Sequence, residues 1–338
     1  ANFKEKKEEF KVAMEQIEKG NEFLDLANEA IALVKLPGDN FKLALQQYLK
    51  AQSLNPNNAE LNMKIGNCYL YTNEKYKAID HLNKAFELDK EVSPMLYFCL
   101  GQSSQLQYKF DEAIKHYKSF EERAKSKYVE EYKKITGKYK KECKYGKEFY
   151  ANPDRAWVDN IKSVNSEWDD YSPCLSADGE LLMFTSRREN GHSKNSLGEY
   201  DGDIYMTFLK KNKWSSPKNV GPPLSTPNDE TGSALAYDGQ RLLLFKEENG
   251  NTDIYESNLD GITWSEPKRK MSKIPNTEHN ETYATYEPQD IKLYYIYDGM
   301  DRGDQEIFIS GLMVYTVSEY NKWGKGQSLG QPVTTRYN

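Results

Sequence analysis

Apolar and aromatic positions in the first 150 residues recur every three or four residues, the spacing of amphipathic helices. Beyond Asn152-Pro153 the pattern shortens to alternating strands broken by Asp-Gly, Asn-Gly and Pro turns. The switch predicts a multidomain chain, α then β, with a helical domain over residues 1–150 and a β domain over residues 151–338. A chain of 338 residues is long enough to bury a separate core in each.

The helical half repeats. Ala44, Tyr48, Ala51 and Pro56 are followed by Ala78, Leu82 and Ala85, then by Ala113, Tyr117 and Phe120, with leading alanines 34 and 35 residues apart. A small residue at such a point lets the second helix of a pair approach the first closely. Ile65-Gly66 with Tyr69, and Leu100-Gly101, stand at matching places on first helices. The first repeat departs from the pattern: its Leu36-Pro37-Gly38-Asp39-Asn40 turn is long, and its first helix, near Asn21 to Val34, lacks the glycine. A separate helix is expected over Phe3 to Glu18. Tyr128, Tyr132, Ile135, Tyr139 and Tyr145 place one amphipathic helix over Lys125 to Tyr150, as the cap that a solenoid requires.

The pattern resembles the tetratricopeptide (TPR) family. The resemblance implies an α-solenoid whose inner helices line a groove for an extended peptide or partner helix. By register the protein-binding positions are Met63, Asn67, Leu70, Tyr71, Phe98, Gln102, Gln105 and Leu106. The paired Lys and Arg with which some relatives grip a terminal carboxylate are missing from this set. The alternative occupant of the groove is the chain's own Phe3 to Glu18 helix.

The β half also repeats. Ser176-Ala-Asp-Gly-Glu-Leu-Leu-Met-Phe aligns with Ala236-Tyr-Asp-Gly-Gln-Arg-Leu-Leu-Leu-Phe, and more loosely with Glu287-Pro-Gln-Asp-Ile-Lys-Leu-Tyr-Tyr-Ile. Downstream come Asp203-Ile204-Tyr205, Asp253-Ile254-Tyr255 and Glu306-Ile307-Phe308, then Trp214 with Pro217, Trp264 with Pro267, and Trp323. Connectors recur as Ser225-Thr226-Pro227-Asn228-Asp229-Glu230 and Pro275-Asn276-Thr277-Glu278, with a half-copy from Asn165 to Asp170. These motifs resemble the PD40 repeats of WD40-like and TolB-type propellers, which implies four-stranded blades. About three repeats and a leading strand near Trp157 to Val164 fall short of the four blades a propeller needs to close. The propeller is therefore read as incomplete here, with the native polypeptide continuing past Asn338.

Asp-Gly supplies positive φ for a hairpin, and the Asp before Ile-Tyr can bond nearby backbone while the apolar pair packs between blades. The recurring carboxylates thus read as structural. Asp201, Asp203, Asp253, Asp301 and Asp304 are hard oxygen donors of the kind a calcium ion takes; otherwise no cofactor is indicated.

Residues 1–150 carry 26 Lys and Arg against 23 Asp and Glu, and residues 151–338 carry 20 against 29. Neither half is basic enough for a nucleic-acid binder. The mean hydropathy of −0.87 is that of a soluble chain, and no apolar run could span a bilayer. Cys68, Cys99, Cys143 and Cys174 lack the spacing of a zinc site or a disulfide framework, and read as buried small residues. His81 and His116 occupy matching places on second helices and read as surface positions; His192 and His279 are scattered. The Gly326-Gln327-Ser328-Leu329-Gly330 string lacks the strand and helix of a nucleophile elbow and reads as a loop. No catalytic set emerges, and the expected protein is not an enzyme. The alternative is a propeller enzyme or glycan-binding protein localised by its TPR array.

TPR repeats followed by PD40 blades resemble the N-terminal part of the PorE-like, OmpA-family periplasmic proteins of Bacteroidota. The resemblance implies a periplasmic, outer-membrane-associated scaffold, its signal peptide removed, linked with type IX secretion or gliding. The implied partners are proteins, among them a PorP/SprF-like barrel, with peptidoglycan bound only through a domain that this sequence lacks.

Overall fold

In a computed structural model the chain divides into two compact units, Ala1–Trp157 and Val158–Asn338. The structure describes residues 7–32, 38–124, 128–189, 194–195, 198–248, 251–269, 280–287, 292–297, 306–313, 322–323 and 327–329.

The first unit consists of helices α1 (Lys7–Ala32), α2 (Gly38–Leu54), α3 (Ala59–Leu70), α4 (Ala78–Leu88), α5 (Pro94–Leu106), α6 (Phe110–Arg123) and α7 (Tyr128–Ala151). Their boundaries follow local chemistry. Asn58 caps α3 by accepting from the Leu61 amide, and Ser93 caps α5 by accepting from Met95 with Pro94 in the first turn. Packing joins α1 with α2, α3 with α4 and α5 with α6, and lays α7 against α6.

Glycine sets how closely each pair approaches. A Cβ on Gly66 would lie 2.5 Å from Leu82, and one on Gly101 would lie 2.4 Å from Tyr117. The same contact exists in the first pair, where a Cβ on Gly20 would lie 2.4 Å from Tyr48. This corrects the sequence reading. The first repeat does possess its glycine, displaced because α1 runs on from Gly20 to Ala32 and α2 begins at Gly38, well before Tyr48; Gly38, Asp39 and Asn40, expected in a turn, belong to α2. Residues Lys7 to Ala32 form one continuous helix, not a separate N-terminal helix followed by another, so the segment read as a groove occupant belongs to the helix that pairs with α2. Residues 3–6 and 33–37 lie outside the described residues.

Gly137 stands 36 residues after Gly101, at the same place on α7, yet nothing lies within 4 Å of its would-be Cβ. One, two and three helical turns further along this face are Lys141, Lys144 and Glu148, all exposed. Helix α7 is thus built like the first helix of a further pair but carries a charged outer surface, as a terminal repeat requires. Its inner side closes an aromatic core: Phe98 of α5 meets Phe120, Tyr132 and Tyr139 with ring centroids 5.4, 5.3 and 6.0 Å apart.

The second unit contains three antiparallel sheets. The first is β1 (Asp170–Leu175), β2 (Leu181–Ser186), β3 (Asp203–Lys210), β4 (Lys213–Trp214) and β5 (Lys218–Asn219). The second is β6 (Glu230–Leu235), β7 (Arg241–Glu248), β8 (Asn251–Asp260), β9 (Thr263–Trp264) and β10 (Lys268–Arg269), and the third is β11 (Glu281–Tyr286), β12 (Lys292–Tyr297), β13 (Glu306–Met313), β14 (Lys322–Trp323) and β15 (Gln327–Ser328). Among the described residues each sheet has five strands where four were expected, because the outer strand is broken and both pieces pair with the long third strand. In the first two sheets Pro217 and Pro267 lie at the break, where proline cannot donate to the ladder. The serines after Trp214 and Trp264 compensate: Ser215 Oγ accepts from the Phe208 amide at 3.1 Å and Ser265 Oγ from Asn258 at 3.0 Å.

Strand β6 packs on β1, β2 and β3, and β11 packs on β6, β7 and β8, so successive sheets stack face to face. Between the first two sheets lie Met183, Ile204, Leu242 and Leu244; between the second and third lie Leu243, Ile254, Ala284 and Leu293, all buried. Ile204, Ile254 and Tyr255 therefore do pack between sheets, whereas Tyr205 lies on the other face of the first sheet with Phe184 and Val164. The first strand of every sheet carries a bulge, with register shifts at Tyr171/Cys174, Gly232/Ala234 and Thr282/Thr285. Ser172 and Tyr283 sit there at φ of 48° and 46°. No strand forms over Trp157 to Val164: Trp157 and Val158 are exposed and only Val164 is buried, against Phe184 and Tyr205.

Two glycine substitutions should diverge. Gly137→Ala, in open space, should stabilise the helical unit by about 1 kcal/mol through helix propensity. Gly101→Ala should destabilise it by about 1–3 kcal/mol, because buried Tyr117 has nowhere to retreat. Urea unfolding followed by far-UV circular dichroism checks both.

Candidate functional site

The helical unit holds a cavity of about 450 Å³ where α5, the α5–α6 turn and α7 meet. Leu70, Gln102, Gln105 and Leu106 line it, four of the eight positions expected from register. Tyr71 is half-buried beside it, its ring stacked on Phe41 at 4.2 Å and its hydroxyl bonded to Gln102. Asn67 accepts from Cys99 at 3.4 Å. Met63 and Phe98 are in the hydrophobic core, so they support the cavity and offer nothing to a partner. Phe98 is inaccessible because α7, read from sequence only as a cap, covers it.

Helix α7 and the preceding turn also supply lining residues that sequence reasoning missed: Tyr108, Phe110, Tyr139, Glu142 and Gly146. A Cβ on Gly146 would lie 2.8 Å from Phe110, so this glycine allows α7 to close against the turn. Tyr108 adopts a φ of 60° and stacks on Tyr150 with centroids 5.4 Å apart. The recurrence of glycine 35 and 36 residues along the chain, at Gly101 and Gly137, was the available sign that α7 is a repeat helix with an inner face.

A bonded chain fixes the polar wall. The Tyr117 hydroxyl donates to Gln105 Oε1 at 2.9 Å, and Gln105 Nε2 donates to Glu142 Oε2 at 3.2 Å. Gln102 bonds the hydroxyls of Tyr71 and Tyr139, whereas its Oε1 is buried with no hydrogen-bond partner. Burial holds the phenols of Tyr71, Tyr117 and Tyr139 above the ordinary tyrosine range, so they remain protonated.

In the β unit the recurring carboxylates bind neighbouring parts of the fold. Asp203 Oδ2 accepts from Asn219 at 2.9 Å, and Asp253 pairs with Arg269 at 2.7 Å. Asp229 accepts from the Gly202 amide at 2.6 Å and pairs with Arg187 at 2.9 Å; Asn280 accepts from Thr252 at 2.8 Å in the equivalent position one sheet later. Asp301 and Asp304, with His192, His279 and the Pro275 to Glu278 connector, lie outside the described residues. Among the described residues no group of three or more His, Cys, Asp or Glu side chains is arranged to hold a metal ion.

An acid heads each first strand. Asp170 accepts from the Ser166 amide and hydroxyl and pairs with Arg188 at 2.7 Å. Glu230 accepts from the Thr226 amide and hydroxyl, with Lys246 at 3.4 Å. Their titrations diverge. Burial pushes Asp170 up, but the bonds from Ser186, Arg188 and Ser166 outweigh it and hold the carboxyl below the ordinary range. Glu230 is fully buried, and desolvation outweighs Thr226 and Lys246 to raise it.

The histidines differ from the surface positions expected. His81 and His116 are half-buried against Tyr69 and Tyr97, and burial lowers both pKa values. All four cysteines are free and buried, and burial pushes the thiols of Cys99 and Cys174 up to about 12. Ser328 lies in β15, paired with Phe308, and not in a loop; Gly326 and Gly330 lie outside the described residues.

No family model matches the chain, and no curated protein matches it. Among solved structures, TolB from Acinetobacter baumannii is 18% identical with a TM-score of 0.29, the match covering 41% of this chain and 29% of that one. A TolB structure from Agrobacterium tumefaciens is also 18% identical at a TM-score of 0.29, covering 40% of each chain. The MamA protein is 20% identical at a TM-score of 0.16, covering 42% of this chain and 99% of that one. The chain thus spans less than half the length of either TolB structure.

Asp170→Asn should destabilise the β unit by about 1–3 kcal/mol at neutral pH. A carboxyl whose folded pKa is depressed contributes stability above its unfolded pKa and loses it as pH falls through the folded one. The gap between wild type and Asp170→Asn should therefore close on acidification below the ordinary carboxylate range. Glu230 has the opposite sign, so Glu230→Gln should lose less at neutral pH. Unfolding followed by the fluorescence of Trp168, Trp214 and Trp264 reports both.

Proposed function

We propose that the protein is a non-enzymatic scaffold in which TPR-type helix pairs and propeller-type blades each take a protein partner. The carrying observation is the cavity between α5 and α7, walled by aromatic rings and side-chain amides on a face made by first helices. Such a surface suits recognition of a peptide, where aromatic residues supply contact area and a few fixed polar groups set orientation. The bonds that commit Asp170, Asp203, Asp229, Glu230 and Asp253 to the sheets support a structural role for the repeated carboxylates.

The resemblance to PorE-like proteins extends the proposal to a compartment and a task. The protein acts in the periplasm, associating an outer-membrane complex of type IX secretion or gliding with the cell wall. A PorP/SprF-like barrel is the proposed neighbour, and wall binding belongs to a domain outside this sequence. Among the described residues no helix is long and apolar enough to cross a membrane.

Crosslinking in cells of the source organism, capture from detergent-solubilised membranes and mass spectrometry test this reading. An outer-membrane barrel crosslinked to the helical or β unit is the expected result. Recovery of soluble small-molecule or glycan ligands, with no protein crosslinked to either unit, would overturn it.

A further inference from the structure

We propose that the α5–α7 cavity is a pocket for a cationic side chain, and that it selects an arginine presented by an extended peptide segment of the protein partner. The inference rests on the scaffold reading for the existence of that partner; the chemistry of the pocket is argued from the pocket itself.

The wall carries two acceptors, the partly exposed carboxylate of Glu142 and the buried Oε1 of Gln102. Glu142 supplies a carboxylate whose Oε2 is held by Gln105, and Gln105 cannot turn away because its own Oε1 accepts from Tyr117. Gln102 Oε1 is buried without a partner, which leaves an acceptor demanding a donor. Lys138 reaches Glu142 Oε1 only at 3.8 Å, the limit of an ion pair, and from a third-exposed position on the helix surface. A ligand that brought several N–H donors and a positive charge would satisfy both acceptors.

The remaining wall is aromatic. Tyr108, Phe110 and Tyr139 line the same space, and ring faces attract cations. Tyr108 is 65% exposed and is held at the mouth by stacking on Tyr150. Its left-handed backbone, unusual for an aromatic residue, is the kind of local strain that persists where surrounding structure fixes it. A planar guanidinium fits this combination better than an ammonium, since it stacks on rings while its forked donors engage a carboxylate and an amide oxygen together. Lys75 also lines the space and opposes a cation, but it stands exposed at the rim, where solvent and salt screen its charge.

The test titrates the full chain with an acetylated, amidated pentapeptide bearing one central arginine between alanine and serine, against the same peptide with citrulline. Citrulline keeps the shape and loses the charge. Binding is followed by NMR, reading the side-chain amide signals of Gln102 and Gln105. The arginine peptide should shift those signals saturably, bind at least about tenfold tighter than the citrulline peptide, and weaken by about tenfold in Glu142→Gln. Glu142→Gln should leave citrulline binding unchanged. Equal binding of the two peptides, or shifts confined to other residues, would sink the proposal. Should Glu142→Gln fail to fold, Tyr108→Ser at the mouth serves instead, with the same loss expected and unchanged arginine affinity counting against the pocket. The two readings fail separately: membrane crosslinks that persist unchanged in Glu142→Gln would remove the arginine pocket and keep the scaffold, whereas saturable arginine binding without any crosslinked protein would remove the scaffold.

Discussion

Two helices come into contact at backbone distance only where one of them has no Cβ, and the helical unit is organised by that constraint. Gly20, Gly66 and Gly101 each receive a large side chain from the partner helix, Tyr48, Leu82 and Tyr117 respectively, and these side chains are fully buried. Because the contact recurs at one place in every pair, the helices share a common angle, and their first helices line up on one side. That alignment brings Gln102 and Gln105 of α5 opposite Glu142 of α7. A side chain placed at Gly101 would push α6 away and, through Tyr117, release Gln105 from the carboxylate it orients.

The β unit obeys a different rule, since a sheet fixes its own strands but not the sheet beside it. Here the joins are made by short polar side chains at strand heads. Asp170 and Glu230 fold the preceding connector back onto the strand, while Asp229 and Asn280 reach across to a backbone amide of the previous sheet. The apolar residues between the sheets supply cohesion without direction. The polar contacts supply register, and they explain why acids recur along this half of the chain without converging on one point.

Much of this was readable from the sequence because it lies in periodic positions. The alanine series from Ala44 to Ala113, the Asp-Ile-Tyr strings and the Trp-Ser-x-Pro breaks each correspond to a repeated local geometry. What escaped was non-periodic. The helices of the first pair run on well past their contact, α1 from Gly20 to Ala32 and α2 from Gly38 to Tyr48, so Gly20 stands outside the expected register and α1 reads as two helices. The register of first helices identified Gln102, Gln105 and Leu70, but register says nothing about what covers a position, and so Phe98 was expected at a surface that α7 occupies. Glu142 and Tyr108 were missed because one belongs to a helix read only as a cap and the other to a turn; their proximity arises from a tertiary contact, through Gly146 and Phe110, that no local pattern encodes.

Gly137 has an implication for how such arrays change length. The last helix keeps the glycine notch of its predecessors while its outer surface is charged, so termination is written in the side chains around the notch and not in the backbone. An array ended in this way can be lengthened without redesigning its terminal helix: apolar residues in place of Lys141 and Lys144 would turn the notch into a seat for another helix. Repeat number is then an adjustable trait, separable from the pocket on the opposite face of the same helix.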